Sequence, residues 1–329
     1  MRTFEYVRAA DLPEALTTHA GDPGAAYLAG GTTQVDLMKD GVLEPIRLVD
    51  ITRLPLRGVV DTGATVRVGA LTTMEELAAD PTVVRRLPVV REALLLGASV
   101  QLRNMATIGG NLLQRTRCRY FRDPSVAACN KRAPGSGCAA VTGPARMHAI
   151  LGVSERCIAL HASDLAVALV ALDAIVHIEG PRSPRSVPLT EFYFEAGERP
   201  QDENTLRHGE LITGVEIPLP PVRTVSGYLK VRDRVSYEFA LASAAVALEI
   251  DDGVIREARI GLGGVGSKPW RAGGAERVLR NQRATVENFR DAAEAALVGA
   301  WTVPGTAFKV ELAKRTLVRQ LQTVSEVAR

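Results

Sequence analysis

The sequence predicts an α+β fold in three units, and three observations carry that expectation. Short apolar strands alternate with a helix over residues 1–55, in the βαβ-like manner of a small parallel sheet. Residues 56–219 hold longer strand and helix segments, broken at 114–157 by a stretch rich in Arg, Gly, Pro and Cys. Pro218, Pro220 and Pro221 then mark a linker, and residues 220–329 read as a hairpin followed by amphipathic helices.

In the first unit Asp11 fits as the N-cap of a helix with Pro13 in its first turn, and strands are expected at Tyr27–Ala29 and Ile46–Ile51. In the second, Thr65–Ala70 alternates as a strand, Thr73 caps Met74–Ala78, and Pro88–Ala98 is a further helix. After the Cys-rich break, Ser163-Asp164 opens a buried helix to Leu172, and Ala174–Ile178 is a strand. Strands Ala240–Ile250 and Val254–Gly261 flank the turn Asp251-Asp252-Gly253. Helices at Ala275–Arg280, Val286–Leu297 and Val310–Val324 follow.

Composition narrows the function. A hydrophobic fraction of 46% and a charged fraction of 23% belong to an ordinary soluble globular protein. A net charge of +3 and 5% aromatic residues argue against nucleic acid as a partner. Met1–Tyr6 has neither an apolar core nor paired arginines, so no export signal of its own is expected. The longest apolar stretch, Leu165–Ile178, is interrupted by Asp173 and is too short for a bilayer. No Ser/His/Asp or Cys/His arrangement, H-E-x-x-H or phosphate-loop motif occurs, so no catalytic residue is assigned. Electron transfer through a bound cofactor suits such a chain better than bond-breaking by side chains.

Two Gly-Gly loops could hold such a cofactor. Ala29-Gly30-Gly31-Thr32-Thr33-Gln34 follows a strand, and Thr107-Ile108-Gly109-Gly110-Asn111 follows a helix. Paired glycines let a backbone approach a pyrophosphate, while N–H groups and hydroxyls bind its oxygens. Either loop alone is equally a tight turn; two suggest a long ligand held at both ends. Gly261-Leu262-Gly263-Gly264-Val265-Gly266 matches the G-x-G-x-x-G dinucleotide pattern after a strand. Ser267-Lys268-Pro269-Trp270 follows where a helix should open, so a Gly-rich turn is expected instead.

All four cysteines, Cys118, Cys129, Cys138 and Cys157, lie in the irregular stretch or at its edge, with ten, eight and eighteen residues between them. That crowding reads as one metal site more than as a disulfide framework. The tight pairs of structural zinc sites are missing, and an iron–sulfur cubane accepts wide spacing. Arg115, Arg117, Arg119, Arg122, Lys131, Arg132, Arg146 and Arg156 would surround an anionic cluster with positive charge. The alternative is a solvated basic loop with free thiols. His148 and His161 flank the last cysteine and receive no role.

In this order the motifs resemble the FAD-binding medium subunit of the xanthine dehydrogenase, or molybdenum hydroxylase, family. The matching residues are Tyr27-Leu28-Ala29-Gly30-Gly31-Thr32-Thr33-Gln34, Thr107–Asn111, Ser163-Asp164-Leu165, Gly209–Pro218 and Lys230-Val231-Arg232. The Cys-rich insert, with Asn111–Cys118 and Cys129–Cys138, is similar to that of the flavoprotein subunit of bacterial molybdenum aldehyde oxidoreductases, and less so to that of benzoyl-CoA-type reductases. The resemblance implies a two-subdomain FAD-binding domain of the vanillyl-alcohol-oxidase/PCMH type followed by a small α+β C-terminal domain. It also implies FAD and one [4Fe–4S] cluster on Cys118, Cys129, Cys138 and Cys157. Tyr27–Gln34 would hold the pyrophosphate, and Thr107, Ile108, Gly109, Gly110 and Asn111 the other phosphate and the ring side. Asp164 would meet sugar or ribityl hydroxyls, Ile212 a ring system and Lys230 a polar flavin edge. The implied partners are a large molybdopterin-binding subunit and a small subunit with two [2Fe–2S] clusters, with no nucleic acid or membrane. The compartment would be cytoplasmic, or periplasmic through a signal-bearing partner. A stand-alone FAD oxidase and a flavin-free scaffold are the competing expectations.

Overall fold

The structure, a computed structural model, describes residues 1–327. Its first unit comprises β1 (Glu5–Arg8), α1 (Leu12–Ala20), β2 (Ala25–Leu28), α2 (Gln34–Lys39) and β3 (Arg47–Asp50). The strands pair in parallel in the order β1-β3-β2, as the βαβ-like pattern predicted. Asp11 caps α1, accepting from Glu14 N at 2.9 Å. The strand expected at Tyr27–Ala29 ends one residue early at Leu28, and α2 follows the first Gly-Gly loop.

The second unit opens with β4 (Val59–Asp61), β5 (Thr65–Gly69) and short helices α3 (Met74–Ala79), α4 (Pro81–Arg86), α5 (Pro88–Leu96), α6 (Val100–Arg103) and α7 (Ile108–Leu112). After the insert, whose regular element is α8 (Arg119–Arg122), come α9 (Asp164–Ala171), β6 (Ile175–Glu179), β7 (Arg185–Pro188), α10 (Leu189–Phe192) and β8 (Leu211–Pro218). The sheet is antiparallel, ordered β4-β5-β8-β6-β7. Thr73 and Glu76 form a reciprocal capping box at α3, and Ser163 Oγ accepts from Ala166 N at 2.9 Å to start α9.

The third unit contains β9 (Thr224–Val231), β10 (Ala242–Asp251), β11 (Val254–Gly263), β12 (Trp270–Arg271), α11 (Gly273–Leu279), α12 (Val286–Ala296) and α13 (Phe308–Val327). Its antiparallel sheet runs β12-β11-β10-β9. The Asp-Gly turn forms as expected, because Asp252 (φ 49°) and Gly253 (φ 74°) both adopt the left-handed conformation that a two-residue hairpin requires.

Every residue of α9 is buried, so a helix apolar on all faces sits at the centre of the molecule. Glycines let it lie close on β11. A Cβ on Gly261 would stand 2.4 Å from Val167 O, and one on Gly263 2.6 Å from Val167 Cγ2. This close packing, not phosphate binding, occupies the G-x-G-x-x-G segment, and the chain continues to β12 without opening a helix. The carbonyls at its far end brace the Cys-rich insert. Val265 O accepts from Ile150 N (2.8 Å) and Leu151 N (3.0 Å), and Gly266 O from His161 N (3.1 Å). The buried Lys309 donates Nζ to Gly264 O at 2.7 Å, and Trp301 N donates to Ile150 O at 2.8 Å.

Candidate functional site

The first Gly-Gly loop touches the backbone just before the second Gly-Gly pair, which forms the opening turn of α7 and not the expected loop. An added Cβ on Gly30 would lie 1.9 Å from Met105 O and 2.8 Å from Met105 C, so glycine lets the loop after β2 meet the backbone that leads into α7. Gly31 (φ 73°) turns the chain into α2. Two adjoining cavities open along this junction, of about 370 Å³ and about 350 Å³, and share Thr32, Thr33 and Gly110.

Tyr27, Ala29, Gly30, Gly31, Thr32, Thr33, Gln34, Thr107, Gly109, Gly110 and Ile212 line the first cavity. Asn111, Asp164 and Lys230 line the second. Two expected residues are corrected. Leu28 and Ile108 line neither cavity: Leu28 O accepts from Ile51 N at 3.0 Å, and Ile108 is 1% exposed in the central core. Strand and helix geometry turns those side chains away from the cleft while their neighbours face it.

The loops differ in what they can still bind. In the second, Ile108 N donates to Thr72 O, Gly109 N to Ala70 O, Gly110 N to Thr107 Oγ1 and Asn111 N to Thr107 O. Its donors are spent, and it offers close approach at Gly110. In the first, among the described residues, the N–H groups of Gly30, Gly31, Thr32 and Thr33 donate to no backbone carbonyl. Gln34 Nε2 in the first cavity and Arg117 Nε beside the second are buried without a hydrogen-bond partner. Such orphaned donors fit an anionic ligand.

Asp164 and Lys230 meet each other. Lys230 Nζ lies 2.7 Å from Asp164 Oδ2, and their side chains are 1% and 9% exposed respectively. Tyr228 OH donates to Asp164 Oδ1 at 2.7 Å, and Lys230 Nζ also donates to Leu96 O at 3.0 Å. The clasp joins α9 of the second unit to β9 of the third, beside Tyr237 and Phe239.

At the other end of the cleft His19 stacks on Tyr27 (centroids 4.0 Å, 13° between planes) and lies 4.6 Å from His208. Burial, aided by His208, lowers the His19 pKa to about 4. Burial does the same to His161. Each stays neutral in the fold but charges more readily unfolded, so its contribution to stability is complete above pH ~6.5 and lost as pH falls toward 4. A His19→Phe variant should therefore show a shallower fall of Tm with pH between 6.5 and 4 than the native chain, measured by calorimetry. An unchanged slope would reject this assignment. Nothing local in the sequence joined His19, Arg207 and His208 to the cleft; α1 packs on β2 and brings His19 there, and the segment before β8 brings Arg207 and His208.

The four cysteines are free thiols drawn from separate turns of the insert. Cys129 and Cys138 face each other across an antiparallel bridge. Cys118 packs with Cys129 and Phe121, and its Sγ lies 3.2 Å from His148 Nε2. The Cys157 thiol hydrogen-bonds Cys138 and pulls its pKa down to about 6, whereas Cys157 itself is pushed up. Burial pushes Cys118 up to about 11. Among the described residues, no group of three or more His, Cys, Asp or Glu side chains is arranged to hold a metal ion. Six of the eight basic residues expected around the thiols have partners of their own. Arg117 and Arg122 pair with Asp36, Arg146 with Asp233, and Arg115 and Lys131 with Glu203, while Arg132 donates to the carbonyls of Tyr120, Phe121 and Val126. These guanidinium and ammonium groups take carboxylates brought near by the fold, a long-range choice that the run of basic residues does not reveal.

Comparison with known proteins fits this architecture. Residues 2–220 match the family described as FAD binding domain in molybdopterin dehydrogenase, and residues 227–324 match the CO dehydrogenase flavoprotein C-terminal domain. The chain is 45% identical over 324 residues to the aldehyde oxidoreductase FAD-binding subunit PaoB of Escherichia coli, covering 98% of each chain. It is 29% identical to the carbon monoxide dehydrogenase medium chain of Afipia carboxidovorans, over 84% of this chain and 80% of that one. A solved CO dehydrogenase from Oligotropha carboxidovorans superposes with a TM-score of 0.78 at 26% identity, covering 99% of this chain and 98% of that one. The protein thus belongs to the FAD-binding subunits of the molybdenum hydroxylases, a family of oxidoreductases.

Proposed function

We propose that this chain is the FAD-carrying electron-transfer subunit of a molybdenum-dependent aldehyde oxidoreductase complex. It would stand between the molybdenum centre of a large subunit, reached through the two [2Fe–2S] clusters of a small one, and an external acceptor. The unspent N–H groups of Gly30–Thr33, set where two cavities meet, carry this proposal, and the 45% identity to an aldehyde oxidoreductase subunit supports the substrate class. FAD, when bound, supplies reversible acceptance of one or two electrons. The protein's share is to hold and orient it. Gly30–Thr33 cradle the pyrophosphate, Gly110 permits its close approach, and Gln34 Nε2 and the Thr32 and Thr33 hydroxyls supply further donors. Lys230 and Asp164 present a fixed charge pair to the polar rim of the flavin end, with Phe239 beside it. Ile212, in the other cavity, packs the adenine end.

We assign the thiol site to one [4Fe–4S] cluster on Cys118, Cys129, Cys138 and Cys157. The four ligands of a cubane bind four different irons, so they need not crowd together as ligands of one ion do. Their convergence as free thiols from separate turns supports the assignment.

Purification of the assembled complex tests both assignments. One FAD per chain and about four irons beyond those of the small subunit are expected. Aldehyde should bleach the flavin in the complex and leave it oxidised in the isolated chain. Reduction in the isolated chain would make it a stand-alone oxidase, and a flavin-free complex a scaffold. Cys138→Ser should remove about four irons and spare FAD; unchanged iron, or zinc in its place, would reject the cluster.

A further inference from the structure

A row of three charges, Lys131 buried and Arg115 and Glu203 half-buried, runs from the FAD cleft toward the thiol site. Arg115, in the wall of the first cavity, donates Nε to Glu203 Oε2 at 2.7 Å. Glu203 Oε1 lies 3.1 Å from Lys131 Nζ, which also donates to Pro200 O at 2.8 Å. The Lys131 side chain is only 4% exposed. Burial raises the pKa of Glu203, but Lys131 and Arg115 outweigh it and bring it below the ordinary range, so Glu203 stands as a carboxylate between them. Lys131 follows Cys129 by two positions, and its neighbour Asn130 donates Nδ2 to the carbonyl of Arg156, next to Cys157, at 2.8 Å. Arg115 in turn lies over the ring of Phe121, 4.5 Å from its centroid, and Phe121 packs on Cys118 and Cys129.

We propose that Lys131 is the counter-charge of the four-cysteine site, and that Glu203, held between Lys131 and Arg115, sets the reduction potentials of the cluster and the flavin together. This rests on the FAD and cluster assignments above. Reduction adds negative charge to either centre, so a nearby cation raises its potential and a nearby anion lowers it, most strongly where water is excluded. Lys131 and Glu203 are positioning residues: neither is a ligand, and each acts through its charge.

Redox titration of the assembled complex, following the cluster by EPR and the flavin by absorbance, tests this on Lys131→Met, Lys131→Arg and Glu203→Gln. Lys131→Met should lower the cluster's midpoint so that its oxidised-to-reduced ratio at fixed potential changes on the order of tenfold, about 59 mV for one electron. Lys131→Arg should restore it. Glu203→Gln should raise both midpoints, a sign that loosened packing would not produce. Retained iron with an unmoved potential in Lys131→Met, or no movement of either centre in Glu203→Gln, overturns the proposal. Iron lost equally from both Lys131 variants overturns it too, since packing and not charge would then be the role. Native protein without the extra irons would instead refute the cluster assignment, leaving the flavin shift in Glu203→Gln to decide the part played by Glu203.

Discussion

Replacing Asp164 by Ala should destabilise the protein by about 3–5 kcal/mol, the loss expected when one partner of a buried ion pair is removed. Lys230 would keep Leu96 O as an acceptor, but its ammonium, on a side chain 1% exposed, would lose its carboxylate. Lys230→Met alone should cost less, because Asp164 retains the Tyr228 hydroxyl and an unpaired carboxylate at the cavity wall can still meet water. Combining Asp164→Leu with Lys230→Met should recover most of the stability, since an apolar pair of similar volume often replaces a buried ion pair at little cost. It should not recover FAD, if the charged pair faces the flavin. Urea denaturation and flavin content of the purified variants measure the two effects separately. A loss below about 1 kcal/mol for Asp164→Ala, the range of exposed pairs, would show that the clasp is not desolvated.

Gly30→Ala should have a comparable effect by a different route. The new methyl would overlap Met105 O at 1.9 Å, and both sides of that contact are backbone, so no rotamer change relieves it. Overpacking of this kind costs on the order of 3 kcal/mol, and the two loops must part to accommodate it. FAD should be lost even where the chain still folds, because the pyrophosphate cradle and Gly110 would no longer face each other. Gly273→Ala is a fair control: its methyl would meet only the far end of the Arg277 side chain, at an ordinary 3.5 Å, and should cost little. Full flavin occupancy in Gly30→Ala would refute the loop contact.

What the sequence made legible was local. Asp11, Thr73 and Ser163 cap helices where their side chains and following residues predicted, and Asp252-Gly253 turns the hairpin because both positions need positive φ. Both Gly-Gly segments lie at the cleft, though the second is the opening turn of α7 and not a loop, and the absence of a helix directly after Gly266 was legible too. Their physical reasons were not. Gly30 answers to Met105, far along the chain, and the glycines of β11 answer to Val167 on α9. Asp164 and Lys230 were each expected at the cofactor but not at each other, because a pairing across 66 positions leaves no periodic trace. The insert's arginines looked like a shell around the thiols, yet their choice of Asp36, Asp233 and Glu203 depends on tertiary distance alone. His19 entered the cleft unannounced, as a helical residue whose role appears only when β2 lies beside it.

The brace formed by the carbonyls of Gly264, Val265 and Gly266 has a consequence for the order in which the protein is made. The insert leaves the ribosome more than a hundred residues before the strand end that fastens it, and Trp301 and Lys309 arrive later still. Domains fold in order of synthesis, so the thiol-bearing loops remain unfastened while the remainder of the chain is translated. That interval is when a loading apparatus has the freest access to the cysteines. A nascent chain arrested before Gly264 should alkylate readily at all four, and the finished protein slowly.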